Sequence, residues 1–209
     1  MNNNQNNKIC CIFGAGEYYE SINIPSDIDI IIAADGGFSY LSENNLHADL
    51  IIGDFDSLDE IPEHENIIIL PKEKNDTDMV AAIQTAWEKG CRTFHIYGGT
   101  GGCPSHTLAN IQCIADLANR GAKGYLYDKD TIITAIKDSS ISFPAGCFGN
   151  ISVFSHSDIS SGVFEIGLKY PLTDATLYNT YPLGISNEFT GLPVSIQVGA
   201  GTLIIIYPK

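Results

Sequence analysis

Short apolar runs alternate with helical segments over the first two thirds of the chain, and this alternation limits the possible folds more than any other feature. Runs typical of buried strands lie at residues 8–13, 28–34, 50–53, 67–70, 93–97 and 123–128. Helices are predicted at residues 38–45, from Asp76 to Gly90 and from His106 to Gly121. Strands that alternate with helices form a mostly parallel sheet covered on both faces. The sequence therefore predicts an α/β fold, with a Rossmann-like three-layer domain in its N-terminal part.

The pattern changes near Ser139, after which short β-like runs are separated by glycine and proline and no helix is indicated. This change predicts an all-β second domain, a sandwich or a barrel-like unit. Within it, Gly184–Glu188 is predicted to be a polar turn whose donors and acceptors suit a small heterocycle, although such a segment taken alone is more often an ordinary turn. The predicted organisation is a disordered polar tail at residues 1–7, an α/β domain at 8–138 and a β-domain at 139–209.

Composition excludes several classes of partner. The chain has 209 residues, of which 44% are hydrophobic, and a formal net charge of −14. Nonspecific binding to nucleic acid or to an anionic membrane needs a positively charged protein surface. A protein with this net negative charge is not expected to bind either of them in that way. A cationic small molecule, or an anion that enters with a metal ion, remains compatible with this charge.

Cysteine usage indicates a reducing compartment. The six cysteines form no Cys-x-x-Cys pair and no zinc-like spacing with histidine, and most lie in apolar runs. No secretory signal and no membrane-spanning stretch is recognised in the sequence. We therefore expect reduced cysteines and a cytoplasmic protein.

Two acidic motifs follow predicted strands. In Gly53-Asp54-Phe55-Asp56-Ser57 the two carboxylates are two residues apart and so face the same side of an extended chain. Such oxygen ligands suit Mg²⁺, which typically takes one or two carboxylates and substrate phosphate. Asp and Ser are also ordinary turn residues, so a plain turn is the alternative.

The second motif, Asn75-Asp76-Thr77-Asp78, opens a helix that Asn75 or Asp76 is predicted to cap. Capping alone can explain Asp76, and an acidic first turn also complements the helix dipole. Because parallel sheets bind ligands outside the carboxyl ends of their strands, we expect both acidic motifs to meet there and hold a magnesium–nucleotide complex.

Glycine-rich loops follow three of the predicted strands. Gly98–Gly102 precedes a helix whose inward face is predicted to be Leu108, Ile111, Ala115 and Ala118, and bare amides ahead of a helix suit phosphate. It is not a Walker A loop, and His106 either reaches a phosphate or serves in capping and packing. Gly14-Ala15-Gly16 lacks the third glycine of a dinucleotide fingerprint and indicates a tight turn. Asp35-Gly36-Gly37 is explained equally well by ligand approach and by a turn.

Taken together, five segments resemble the bacterial type of the thiamine pyrophosphokinase (thiamine diphosphokinase) family. They are residues 34–37, 53–57, 74–78, 98–102 together with 106–110, and 184–188, which occur in the order and spacing of the family. The resemblance implies transfer of pyrophosphate from Mg-ATP to the hydroxyl of thiamine, which gives thiamine diphosphate and AMP. It also implies a nucleotide-binding α/β domain, a thiamine-binding β-domain and a homodimer with thiamine near the subunit interface.

The resemblance also implies roles for individual residues. Mg²⁺ would be held by Asp54, Asp56 and Asp78, and Thr77 would lie near the phosphates. Thiamine would contact Ser186 and Asn187. The residues at the nucleotide site would be Asp35, Gly36, Ser57, Lys74, Gly101, Gly102, His106 and Asn110.

One departure from the family pattern follows the glycine-rich loop. Where the family usually has Arg, another residue and Asp, this chain has Cys103, Pro104 and Ser105. It therefore lacks a guanidinium able to hold phosphate in a bidentate manner, and a carboxylate near the substrate. Two alternatives stay open: a weak or inactive homologue that binds thiamine or nucleotide, and, from Asp-x-Asp alone, a metal-dependent nucleotide-sugar transferase.

Overall fold

The structure, a computed structural model, describes residues 7–20, 22, 24–55, 62–71, 73 and 76–209. Within these ranges the helices are α1 (Gly37–Glu43), α2 (Asp78–Glu88) and α3 (Pro104–Asn119). The strands of the α/β part are β1 (Lys8–Phe13), β2 (Ile30–Ala34), β3 (Leu50–Gly53), β4 (Ile67–Ile69), β5 (Cys91–Tyr97) and β6 (Lys123–Tyr127). The remaining strands are β7 (Thr131–Lys137), β8 (Ser140–Phe143), β9 (Asn150–Ser155), β10 (Ile159–Ile166), β11 (Leu172–Tyr178), β12 (Gly184–Glu188), β13 (Val194–Gln197) and β14 (Thr202–Pro208). None of the helices in the described part of the chain is long and apolar enough to cross a membrane.

The chain divides into two compact units. The first contains the described residues up to Asn110 together with Leu126–Lys129, and the second contains Ile111–Tyr125 and Asp130–Lys209. The predicted domain boundary between residues 138 and 139 differs from this division, because residues 111–125 and 130–138 belong to the second unit. Strand β7 belongs to the second unit because it pairs with β14 along its whole length, from Thr131 opposite Pro208 to Lys137 opposite Thr202.

The first unit is built on parallel strands in the order β5-β1-β2-β3-β4. The apolar runs of β1, β2, β3 and β5 are largely buried, as expected where helices cover a parallel sheet, whereas the edge strand β4 leaves Ile69 57% exposed. Leu41 of α1 packs in one core cluster with Phe13, Ala33 and Ile51, which lie on one face of the sheet. Alternation leaves the neighbouring strand residues for the opposite face, and α2 contacts four of these strands. The predicted mostly parallel α/β arrangement is confirmed.

The second unit contains two antiparallel sets of strands, β12-β9-β14-β7 and β11-β10-β13-β8. Both sets contribute to a single core cluster, which includes Ile151 and Ile205 from the first set and Val163 and Ile196 from the second. Two sheets that share one core in this way form a sandwich. The additional antiparallel β-structure that the sequence predicts is therefore present.

Several local predictions were wrong. Residues 184–188 form strand β12 and not a turn, because they pair with β9. Leu108 does not belong to the inward face of α3 and is 59% exposed, whereas Ala115 and Ala118 are buried as predicted. Helix α2 is capped by Thr77, whose hydroxyl accepts the N–H of Val80 at 3.2 Å, and not by Asn75 or Asp76.

Candidate functional site

A cleft of about 350 Å³ opens at the carboxyl ends of β1, β2 and β5 in the first unit. Its walls come from Gly14–Gly16 after β1, Ala34 and Asp35 at the end of β2, the start of α2 and the segment from Gly98 to Asn110. In parallel α/β sheets ligands bind at this end of the strands. The cleft therefore lies where the strand pattern predicts it.

The Gly-x-Gly after β1 brings two loops together. The N–H of Gly16 donates to the carbonyl of Gly98 at 2.7 Å, so the pairing of β1 with β5 continues into the loops. A Cβ atom on Gly16 would lie 2.5 Å from the carbonyl oxygen of Thr100, which no side chain tolerates. These glycines permit close loop packing, as the tight-turn interpretation predicts.

The glycine-rich loop after β5 is held in a fixed shape. Gly98, Gly101 and Gly102 have φ values of 60°, 78° and 57°, which favour glycine. Between them Thr100 is only 3% exposed, and its hydroxyl donates to Asp128 at 2.7 Å. Asn110 lines the cleft, but its side-chain nitrogen donates to the carbonyl of Gly99 at 2.7 Å, so this residue also supports the loop.

One loop amide already has an anionic partner. The N–H of Gly102 donates to Oε1 of Glu17 at 3.1 Å, and the N–H of Glu17 donates to the backbone carbonyl of Thr100 at 2.9 Å. The sequence pattern predicts bare loop amides, so this partner of the Gly102 amide corrects that prediction. Glu17 therefore fixes the loop from the β1 side, while Asp128 fixes it from the β6 side.

The acidic motifs are partly brought together. Asp35, Thr77 and Asp78 line the cleft, as do Gly101, Gly102, His106 and Asn110. Asp35 has a left-handed φ of 47°, and its N–H donates to the carbonyl of Ile52 at 2.8 Å. Asp35 therefore lies beside the end of β3, where Asp54 follows, and a Cβ on Gly53 would be 3.0 Å from the Cα of Asp35.

Other predicted site residues lie elsewhere or are not described. Asp54 is half-buried, and neither it nor Gly36 is among the residues that line the cleft. Asp56, Ser57 and Lys74 lie outside the described residues. Among the residues that are described, no three His, Cys, Asp or Glu side chains are grouped to hold a metal ion.

Cys103 lies at the start of α3, on the rim of the cleft. Its sulfur is 3.0 Å from the hydroxyl of Ser105, and its carbonyl accepts the N–H groups of His106 and Thr107. Hydrogen bonds from the Ser105 side chain, and from the backbone of Ser105 and His106, lower the pKa of this exposed thiol. Among the described residues that line the cleft, none is Lys or Arg. A phosphate in this cleft would therefore meet carboxylates, amides and, of the lining residues that the structure describes, His106 as the side chain able to carry a positive charge.

The two predicted thiamine contacts lie in the second unit. Ser186 is exposed and has a φ of 55°, at a bulge in β12. Asn187 is 4% exposed and donates to Oε2 of Glu165 at 2.9 Å. Sequence reasoning missed Glu165, although Val163 and Glu165 are two residues apart in a strand and so share the buried face. Glu17 and Asp128 were also missed, since no local pattern links them to the loop that they support.

Comparison with known proteins agrees with this arrangement. The chain contains an α/β unit, which has a cleft at the carboxyl ends of its parallel strands, and a unit built on a β-sandwich. Residues 23–126 match the family model described as the thiamin pyrophosphokinase catalytic domain. A thiamine pyrophosphokinase of Bacillus subtilis is 30% identical over 168 residues, which cover 74% of this chain and 75% of that protein.

Two solved structures share the fold over nearly the whole chain. The thiamine pyrophosphokinase from Bacillus subtilis has a TM-score of 0.84 at 26% identity, with 97% of this chain and 99% of the other covered. A thiamin pyrophosphokinase family protein from Enterococcus faecalis has a TM-score of 0.80 at 26% identity, with the same coverage. This chain belongs to the thiamin pyrophosphokinase family.

Proposed function

We propose that this protein is a thiamine diphosphokinase that transfers pyrophosphate from Mg-ATP to the hydroxyl of thiamine and releases AMP. In this reaction the hydroxyl oxygen bonds to the β-phosphorus, the bond between that phosphorus and the oxygen retained by AMP breaks, and the hydroxyl loses its proton. The observation that carries the proposal is the cleft itself. It combines a glycine-rich loop with the carboxylates of Asp35 and Asp78.

The donor set of the cleft fits a hard divalent cation. Mg²⁺ needs only one or two carboxylates when substrate phosphates and water complete its coordination. Asp78 would hold it, with Asp54 and Asp56 from the other acidic motif. When bound, the ion neutralises charge on the transferred group. The described residues that line the cleft include no Lys or Arg. The bound ion would therefore supply the positive charge that these residues do not.

The remaining groups of the cleft would bind and orient the nucleotide. Thr77 accepts the N–H of Val80, and its own O–H can still donate to a phosphate oxygen. The amide of Gly101 lies in the glycine-rich loop, and His106 lies in the first turn of α3. Fixed donors of this kind accelerate phosphoryl transfer chiefly through position and electrostatics.

Product analysis tests the proposal. The protein is incubated with ATP, Mg²⁺ and thiamine, and the nucleotide products are separated, with EDTA and thiamine-free reactions as controls. We expect AMP and thiamine diphosphate in equal amounts, only when thiamine and Mg²⁺ are both present. Formation of ADP would contradict pyrophosphate transfer.

A second candidate is a binding protein with little or no turnover, which the thiol and hydroxyl at Cys103 and Ser105 favour. Calorimetry would then detect thiamine or nucleotide binding without AMP formation. The double variant Cys103→Arg/Ser105→Asp should create activity in that case. If the double variant stays inactive although it binds both substrates, this explanation is wrong.

We also propose that the protein acts in the cytoplasm as a homodimer. Exposed large apolar side chains in the second unit, such as Phe148, Tyr181 and Ile185, support self-association. Light scattering coupled to gel filtration should give about twice the chain mass of 22.6 kDa.

A further inference from the structure

Asn187 has no hydrogen-bonding capacity left for a ligand. Its Nδ2 atom donates to Oε2 of Glu165 at 2.9 Å and to the carbonyl of Tyr170 at 2.8 Å. Its Oδ1 atom accepts the N–H of Tyr170 at 3.0 Å and that of Glu188 at 2.9 Å. A primary amide offers two donors and one oxygen with two lone pairs, so all four positions are used.

The bulge in β12 explains why Asn187 points inward. The register with β9 shifts between Gly184, which is opposite Val153, and Asn187, which is opposite Ile151. Ile185 and Ser186 are both exposed, and the N–H of Ser186 donates to the hydroxyl of Ser152 at 3.0 Å. A bulge of this kind redirects side chains, and here it turns Ser186 outward and Asn187 into the core.

Glu165 is the buried partner of Asn187. Its side chain is 0% exposed, and within the described residues Oε1 has no hydrogen-bond partner. Burial raises the pKa of Glu165 to about 7, and the hydrogen bond from Asn187 opposes this rise. An ionised carboxylate at this position is costly, because one of its oxygens would be buried without a donor.

We infer that Glu165 and Asn187 form a positioning pair, which sets the outward geometry of Ser186 and Tyr170 for a ligand, and that Asn187 itself does not touch that ligand. The inference rests on the proposed function, since the ligand is taken to be thiamine. Through its hydrogen bonds with Tyr170, Asn187 connects the bulge of β12 to residues 169 and 170. The ion pair between Lys169 and Glu188 connects the same two segments. Tyr170 is 61% exposed, so its ring is available to a flat heterocycle.

The titratable groups around Glu165 are few. Strands β9 and β13 carry none, on β11 Asp174 and Tyr178 are exposed, and Cys147 and Tyr207 are partly buried against the same core cluster. The segments bonded to Asn187 carry Lys169, Tyr170 and Glu188, of which Lys169 and Glu188 are ion-paired at the surface. A pH effect near neutrality that is present in the wild type and absent from Glu165→Gln is therefore assigned to Glu165.

Thiamine binding to the whole protein, measured by calorimetry between pH 6 and pH 8.5, tests the pair. In the wild type we expect the Kd to rise about fivefold with a midpoint near pH 7, because ionised Glu165 disturbs the pair. Glu165→Gln keeps an acceptor for Asn187 and should bind thiamine with no such pH dependence. Glu165→Leu should weaken thiamine binding about tenfold at every pH and leave ATP binding unchanged.

Two results would overturn the inference: Glu165→Gln with the pH profile of the wild type, or Glu165→Leu with wild-type thiamine affinity. If Glu165→Leu does not fold, the profile of Glu165→Gln decides alone.

NMR of the ligand-free protein separates this inference from the proposed function. The amide resonances of Tyr170 and Glu188 should titrate near pH 7 in the wild type and not in Glu165→Gln. If they do so while thiamine fails to bind, the pair stands and the substrate assignment falls. If they do not titrate, the positioning pair is wrong.

Discussion

Asp78 lines the cleft and is the described residue to which we assign the role of Mg²⁺ ligand within it. It is the first residue of α2 and lines the cleft, so it can serve a metal ion and also complement the helix dipole. We expect Asp78→Asn to lower kcat for AMP formation about 100-fold or more, the usual loss when transition-state charge stabilisation is removed. The helix-dipole loss should cost less than about 1 kcal/mol of unfolding free energy.

Asp76→Asn is the matched control for Asp78→Asn. Asp76 precedes the same helix and is exposed, and it is not among the residues that line the cleft. This variant should keep its turnover within about twofold. Equal activity in the two variants would show that Asp78 does not serve the reaction.

Thr100 illustrates a residue whose role depends on distant parts of the chain. Its buried hydroxyl donates to Asp128, 28 residues further along, and fixes the glycine-rich loop. Thr100→Val removes this hydrogen bond to a charged group and should lower the unfolding free energy by about 1.5–3 kcal/mol in urea titration. Thr100→Ser keeps the hydroxyl and should lose under about 1 kcal/mol. A loss in Thr100→Val that is no larger than the loss in Thr100→Ser would show that the hydrogen bond to Asp128 does not stabilise the loop.

At the scale of elements, glycines set how closely the strand ends and helices approach. Gly37, the first residue of α1, has so little space that a Cβ would lie 2.0 Å from the carbonyl oxygen of Phe13 in β1. Gly37→Ala should therefore shift α1 and cost about 3 kcal/mol or more of unfolding free energy, at the upper end of overpacking effects. At Gly36 the nearest atom is the Ala15 Cβ at 3.0 Å, and φ is −57°. Gly36→Ala should cost less than about 1 kcal/mol, and a larger loss there than at Gly37 would contradict this account.

Elements with one dominant local signal were predicted well from the sequence. Strands β1 and β3 were predicted with their observed bounds, because continuous apolar runs bounded by turn residues have one good solution in a buried parallel sheet. Strand β12 was missed because its signal is not local. The bulge at Ser186 breaks the alternation of side chains, and only pairing with β9 makes the segment a strand.

The candidate site shows the same distinction. Asp35, Thr77 and Asp78 line one cleft, and strand order alone indicates this arrangement, since it brings the loop ends together. The supporting groups were not found, because Glu17, Asp128 and Glu165 act through contacts between residues that are 22 to 85 positions apart. No pattern within a single segment contains that information.

For the whole molecule, the buried carboxyl of Glu165 predicts how stability depends on pH. The pKa of Glu165 is about 7 in the folded protein, whereas the ordinary pKa of a glutamate is 4.5. Folding therefore favours the protonated form of this carboxyl group. The corresponding stabilisation is fully present below about pH 4.5 and is lost as the pH rises through 7. A difference of this size corresponds to about 3 kcal/mol at 1.36 kcal/mol per pH unit.

Urea unfolding of the wild type and of Glu165→Gln at pH 5 and pH 8 measures this effect. Other groups titrate in the same window: burial lowers the pKa of His95, which adds stability as the pH rises. The difference between the two proteins cancels this contribution, because His95 is present in both. Relative to Glu165→Gln, the wild type should lose about 2–3 kcal/mol between the two pH values. A difference that stays constant from pH 5 to pH 8 would mean that Glu165 ionises in the folded protein as it does in water.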